Sequence, residues 1–308
     1  MRIKIENPTA LLALEWQSVF EEYKTIHLPS RNYSSSTRRE YTNDIYHLLC
    51  FLSSAGIGQP QDVSLNTLNQ YLAHLDNQKL SGLSRRRKVS SIKNFFGFLE
   101  QNDSIGNSPA RHLIPPRKET RTPRVLSESE YKNLQLAVAN EPRDAAIVEL
   151  LLQCGIRLSE LTHLTINDVQ LPNKISQDME NVGTLFIRQG KGRKDRILAL
   201  NHKVCKAIKN WLRVRPPADS SALFCSKFKT PITQGGFQWI IKQYFIKAGI
   251  TNAHLHSLRH TFGTHMVKKG TNLRVVQEML GHNSLQTTSL YISLARELMD
   301  KQVQENAL

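Results

Sequence analysis

The stretch from Asn102 to Arg124 constrains this chain more than any other. It holds four prolines (Pro109, Pro115, Pro116 and Pro123) and five basic residues, with little hydrophobic periodicity. Proline fixes φ and removes a backbone donor, so neither a helix nor a central strand can run through such a segment. The 308 residues are therefore divided into two parts, each long enough to bury its own core. We read residues 1–113 as a helical domain, 114–124 as a basic linker and 125–308 as a second domain with a C-terminal tail. A basic linker either touches a polyanion or is simply a solvated loop, and its composition fits both.

The first part has helical spacing throughout. Asn7-Pro8 reads as an N-cap with Pro in the first turn, ahead of Leu11, Leu12, Leu14, Val19 and Phe20. A second helix is expected over about Ser36 to Phe51, and Gly56 and Pro60 then break the chain. Ser64 caps a third helix carrying Leu68, Tyr71, Leu72 and Leu75, and a fourth carries Val89, Ile92, Phe95, Phe96 and Leu99. Four short helices of this kind make a small bundle. The second part restarts with Ser127-Glu128-Ser129-Glu130, a capping box. Ala145 to Cys154 is an apolar run expected to form a buried helix ending at Gly155. Two β-prone runs, Gly183–Ile187 and Ile197–Leu200, flank Gly190-Lys191-Gly192-Arg193-Lys194-Asp195, the composition of a hairpin turn. The expected fold class is mainly α, with a small β-hairpin or sheet confined to the second domain.

Charge narrows the partner. There are 41 Lys and Arg against 26 Asp and Glu, a formal net of +15. Such an excess suits a polyanion, because neutralising phosphates releases condensed counterions. The part before residue 120 carries about +4 and the rest about +11, so both are basic. No run of apolar residues is long enough to span a membrane, no long amphipathic basic helix points to a membrane surface, and the opening residues lack a signal peptide. A cytoplasmic, nucleoid-associated protein is expected. Cys50, Cys154, Cys205 and Cys225 lie far apart and read as reduced, small hydrophobes.

Several residues have chemical potential, and each has a plain alternative. His256 and Arg259 share one helix face, where an imidazole and a guanidinium can grip a phosphate, or merely sit solvated. Arg157 is either a ligand-facing cation or a structural one satisfied by Glu160. Lys191, between two glycines, is a groove-entering lysine or an ordinary turn residue. His282 follows Leu280-Gly281 and can be a helix-capping histidine. Tyr291 is one of eight tyrosines. Arg85, Arg86, Arg87 and Lys88 open the fourth helix, where cations oppose the helix dipole unless an anion is present. That conflict favours phosphate contact over a solvated helix start. There is no phosphate-binding loop and no carboxylate cluster for two-metal nuclease chemistry. No cofactor and no metal is expected.

Joint order and spacing carry more than any single residue. Gly155-Ile156-Arg157-Leu158-Ser159-Glu160-Leu161, Gly190-Lys191-Gly192-Arg193-Lys194-Asp195-Arg196, His256-Ser257-Leu258-Arg259-His260-Thr261-Phe262, Leu280-Gly281-His282 and Tyr291 follow one another with gaps of 23 residues from Arg259 to His282 and 9 to Tyr291. In these segments the chain resembles the integrase-like tyrosine site-specific recombinases. Asn94–Leu99 and Asn107-Ser108-Pro109-Ala110 also resemble the family's core-binding domain. The resemblance implies that Tyr291 attacks a scissile phosphate to give a 3′-phosphotyrosine and a free 5′-hydroxyl, without metal or ATP. It implies that Arg157 and Arg259 bind the non-bridging oxygens, Lys191 is the general acid, His256 assists as general base, and His282 hydrogen-bonds the phosphate. Lys93, Arg193, Lys194 and Arg196 join the run Arg85–Lys88 as expected DNA contacts.

The implied partner is double-stranded DNA with specific inverted half-sites, held in a clamp of two domains. Self-association into a synaptic tetramer is implied too, with a related recombinase or an accessory DNA-bending protein as a possible partner. Leu294–Leu308 docks on a neighbouring subunit or packs on its own domain. A catalytically silent DNA-binding regulator and a type IB topoisomerase-like relaxase are the alternatives on this scaffold. Two departures stand out: about ten extra residues near Pro172 to Val182, and Ile292-Ser293 after the tyrosine where many relatives have Thr-His.

Overall fold

A computed structural model describes residues 12–117, 123–175, 182–188 and 195–281. The expected Asn7-Pro8 cap, Lys191, Arg193, Lys194, His282, Tyr291 and the tail Leu294–Leu308 lie outside the described residues, as does part of the Pro172–Val182 loop. Backbone contacts divide the chain into two compact units, Met1–Arg121 and Thr122–Leu308. No described helix is long and apolar enough to cross a membrane.

The first unit is all helical among its described residues. Helix α1 (Leu14–Glu22) runs on through a π-helical turn, Tyr23–His27, into Leu28–Ser30. Helices α2 (Ser35–Ser54), α3 (Leu65–Asn77) and α4 (Gly82–Gln101) follow. Each of these three starts on a serine whose hydroxyl accepts a backbone N–H of the first turn: Ser34 from Thr37, Ser64 from Thr67 and Ser81 from Ser84. Serine is favoured at that position because it satisfies one of the helix's orphan donors. α2 and α4 reach 20 residues each, longer than the short helices expected, because no Gly or Pro interrupts α2 before Gly56, and α4 tolerates Gly97 within it.

The π turn escapes a reading based on 3.6-residue spacing. It brings Tyr23 fully inside, against Phe95 edge-on with ring centroids 5.0 Å apart, and lets its hydroxyl donate to Asn94 Oδ1 at 2.7 Å. Trp16, Leu48, Leu49, Ile92, Phe96 and Leu99 fill the same core.

The second unit opens on the expected capping box. Ser127 accepts the Glu130 backbone N–H, and the Glu130 carboxylate accepts that of Ser127. Helices α5 (Glu128–Val138), α6 (Pro142–Cys154) and α7 (Leu158–His163) lead to a three-stranded antiparallel sheet of β1 (Val169–Gln170), β2 (Gly183–Ile187) and β3 (Arg196–Leu200), in that order. The two foreseen strands pair from Gly183 with Leu200 to Ile187 with Arg196. Period-two alternation turns Leu185, Ile187, Leu198 and Leu200 inward. β1 is only two residues long and leaves no pattern to read. Four helices complete the unit: α8 (His202–Val214), α9 (Gln234–Lys247), α10 (Leu255–Lys268) and α11 (Leu273–Leu280). Buried along almost its whole length, α6 carries Ile147, Val148, Leu150 and Leu151 into the core against α8, α10 and α5.

Candidate active site

The site is built where α6 ends. Gly155 terminates that helix in the left-handed conformation (φ 58°), which residues with a Cβ reach only at a cost. The turn delivers Arg157 to the N-cap of α7. Glu160, at the third position of α7, accepts the Arg157 backbone N–H at 2.8 Å on Oε2 and its Nη1 at 2.7 Å on Oε1. Arg157 Nη2 also donates to the Gly281 carbonyl. From α10, Arg259 is 5% exposed and donates through Nη1 to Gly155 O and through Nη2 to Leu280 O, both at 2.5 Å. Two arginines 102 residues apart in sequence thus meet at adjacent carbonyls, at the end of α11. Gly281 closes that helix with φ 64°, the C-terminal glycine expected from its sequence position.

His256 lies one turn before Arg259 on α10, with an open edge to solvent and its ring edge-on to His254 at 6.4 Å between centroids. Partial burial, then the charges of His254, Arg259 and Arg157, lower its pKa below the ordinary histidine value. The imidazole is therefore neutral at physiological pH and able to accept a proton. His260, one turn further on, is pushed down to about 4 by burial and by His256, Arg259 and His254.

Glu160 is 9% exposed. Burial raises its pKa, but hydrogen bonds from Arg196 and Arg157 outweigh this and hold it at about 2.

These shifts fix how stability responds to acid. A histidine whose pKa is lower folded than unfolded resists protonation only in the folded state. Stability is therefore intact above the unfolded value of 6.5 and falls as pH drops toward about 4 for His260. His260 alone accounts for about 1–3 kcal/mol after allowing for its partial exposure. A second loss sets in below pH 4.5 as Glu160 is protonated in the unfolded chain but not in the folded one. Urea midpoints measured from pH 7.5 to 4 should fall, and His260→Gln should flatten the upper part of the curve. A flat wild-type profile across that interval would contradict the assignment.

Two residues expected to contact DNA, Lys88 and Arg196, are engaged inside the protein. Lys88 is 6% exposed and donates to Asp44 Oδ1 at 3.0 Å inside the first unit, so it is spent on a buried carboxylate. Arg196 is likewise engaged: its Nη1 and Nη2 sit 2.9 Å from the two Glu160 oxygens, and its Nε donates to Met279 O at 2.9 Å. The anion missing from the start of α4 turns out to be supplied from within the protein. Arg85 pairs with Asp76 at 2.7 Å, and Arg87 with Asp44 at 2.5 Å and Glu40 at 2.8 Å. Arg86 donates to the Pro116 carbonyl. Lys93 is exposed and reaches the Arg111 carbonyl at 3.3 Å. Arg86, Arg87 and Lys93 line an open groove with Ser84, Ser90 and Pro115.

Asp44 had no place in the sequence reading. The signal was present: an acidic residue beside Ile45 and one turn before Leu48, on the face that α2 buries, needs an internal partner. His254, two residues before His256 and edge-on to it, has no such mark in the sequence.

Residues 124–297 match the phage integrase family, and residues 20–103 match the phage integrase N-terminal SAM-like domain. A tyrosine recombinase of Pseudothermotoga lettingae is 32% identical over 279 residues, 90% of this chain and 93% of its own length. Tyrosine recombinase XerC of Lacticaseibacillus casei is 31% identical over 287 residues, covering 89% of this chain and 92% of itself. Among solved structures, the XerH site-specific recombinase bound to palindromic difH substrate shares the fold with a TM-score of 0.73 at 20% identity, over 92% of this chain and 84% of that one. The matched family spans the segment in which the two arginines, the histidine and the hairpin strands lie. The chain belongs to the phage integrase family of tyrosine recombinases, enzymes of site-specific DNA recombination.

Proposed function

We propose that Tyr291 is the nucleophile that attacks the scissile phosphate, forming a 3′-phosphotyrosine and releasing a 5′-hydroxyl. The observation that carries this reading is the meeting of Arg157 and Arg259 at Gly281 and Leu280, immediately before His282. A guanidinium has five donors in a fork that matches phosphate oxygens. Arg157 and Arg259 grip the two non-bridging oxygens and offset the charge that grows in the pentacoordinate transition state. His282 adds a hydrogen bond to the same phosphate.

An ordinary tyrosine has a pKa of about 10, so its proton must leave during attack. His256, held neutral beside two arginines, takes it as general base. Lys191 donates a proton to the departing 5′-oxygen. In the reverse step the hydroxyl attacks the phosphotyrosine, whose ester bond retains the energy of the broken one, so rejoining needs no nucleotide.

For the partner, the reading is duplex DNA with inverted half-sites, engaged by both units, and assembly of four protomers at synapsis. A related solved complex holds a palindromic site, and another is a lambda integrase dimer on a core site. The groove of Arg86, Arg87 and Lys93 is the surface of the first unit offered to phosphate.

The test is a nicked suicide duplex carrying a site recovered by sequencing DNA crosslinked to the protein in cells. The wild-type chain should form a covalent adduct whose peptide map places the nucleotide on Tyr291. An adduct on any other residue, or none while the duplex is bound, defeats the assignment.

A further inference from the structure

Three arginines hold three successive carbonyls at the end of α11. Arg196 Nε donates to Met279 O at 2.9 Å, Arg259 Nη2 to Leu280 O at 2.5 Å, and Arg157 Nη2 to Gly281 O. The last carbonyls of a helix have no partner within it and carry partial negative charge, so cations there are stabilising. The next residue in the chain is His282. Two of the three arginines are the proposed phosphate ligands; Arg196 is not, and its geometry is different.

Only 11% of the Arg196 side chain is exposed. Its two terminal nitrogens face the two Glu160 oxygens fork to fork, both at 2.9 Å, while Nε takes the Met279 carbonyl. Every nitrogen of the guanidinium is thereby engaged within the protein. Glu160 in turn holds Arg157 twice, through Nη1 at 2.7 Å and through the backbone N–H at 2.8 Å. One residue at the start of β3 therefore ties α7 to the end of α11. The planar fork is what the arrangement needs. A lysine is a point charge that can meet one carboxylate oxygen but cannot also reach the carbonyl.

We propose that Arg196 is a positioning residue for strand cleavage, fixing Glu160, and through it Arg157, in register with the helix end that leads into His282. The inference rests on the reading of Arg157 and His282 as phosphate ligands. Burial would raise the Glu160 carboxyl once the Arg196 hydrogen bonds are gone, and the Met279 carbonyl would lose its donor. Arg157 would then keep a partner but lose its fixed direction. A misplacement of about 1 Å in a group holding the reacting phosphate is enough to slow chemistry by roughly 10²-fold.

The experiment compares wild type, Arg196→Lys, Glu160→Gln, their double variant and the neutral Arg196→Gln on the same nicked duplex, reading adduct formation under single turnover and duplex affinity across a salt series. Arg196→Lys should form adduct about 10²-fold more slowly, bind the duplex within about 3-fold, and leave the slope of log affinity against log salt unchanged. Arg196→Gln, which removes the charge that lysine keeps, should also leave the slope unchanged, whereas loss of an arginine that contacts phosphate would lower it by about one. Because Arg196 acts through Glu160, the double variant should be no slower than the slower single one.

The proposal is overturned by a wild-type rate in Arg196→Lys, by a slope reduced by one in Arg196→Gln, or by fully additive losses. Wild-type protein that forms no adduct defeats the recombinase mechanism beneath it as well. Wild-type protein that cleaves alongside an unimpaired Arg196→Lys defeats the role of Arg196 alone.

Discussion

Arg259→Gln should slow adduct formation on the nicked duplex by about 10²–10³-fold, the cost of removing one preorganised charge-stabilising donor. The guanidinium is 5% exposed and spans two carbonyls, at Gly155 and Leu280, that belong to the ends of different helices. Glutamine offers a single amide and cannot reach both. One carbonyl is left without this donor, at about 1–3 kcal/mol, so the melting temperature should fall together with the rate. The two losses are separable. A fold with roughly 5–15 kcal/mol to spare stays folded after losing 3. A rate measured well below the melting transition therefore reports chemistry. Arg259→Lys is the sharper test, since it keeps the charge but not the fork. A lysine variant that cleaves at the wild-type rate would show that bidentate grip on phosphate is not what Arg259 provides.

Much of the fold could be read in advance because its determinants are local. Ser64, the Ser127–Glu130 capping box, Gly155 and Gly281 act within a few residues of the chain, and each ends or begins a helix where the sequence says it should. The strands of the hairpin were equally plain, since alternation writes burial directly into sequence. What could not be read depends on partners distant in the chain. Lys88 and Arg196 look like surface cations until Asp44, 44 residues away, and Glu160, 36 residues away, are seen beside them. The π turn at Tyr23–His27 departs from the period on which helix reading rests. For the site, Arg157 stood between a structural and a ligand-facing reading. The structure shows it doing the first through Glu160 while standing at the end of α11, where the second is possible. A guanidinium has enough donors for both.

The largest stability loss is expected from a single methyl group. Gly155→Ala must hold a φ of 58°, which costs an alanine about 1–2 kcal/mol. The added Cβ would also overlap the Phe262 ring and stand 2.9 Å from Leu280 Cδ2, and overpacking of this kind costs a further 1–3 kcal/mol. Gly249→Ala separates the two contributions. It has φ 68° and nothing within 4 Å of its Cβ position, so it bears the conformational cost alone. At roughly 2–4 °C per kcal/mol for a unit of this size, Gly155→Ala should melt about 4–20 °C lower and Gly249→Ala only about 2–8 °C lower. The comparison also reaches the chemistry. Phe262 lies on α10 one turn from Arg259, and Leu280 supplies the carbonyl that Arg259 holds. Relief of the overlap has to move one or both of these groups, so Gly155→Ala should lose adduct formation even at temperatures where it is folded, and Gly249→Ala should not. Equal melting temperatures for the two variants would mean that the packing of Phe262 and Leu280 against Gly155 yields easily. The backbone there would then not be what sets Arg259 in place.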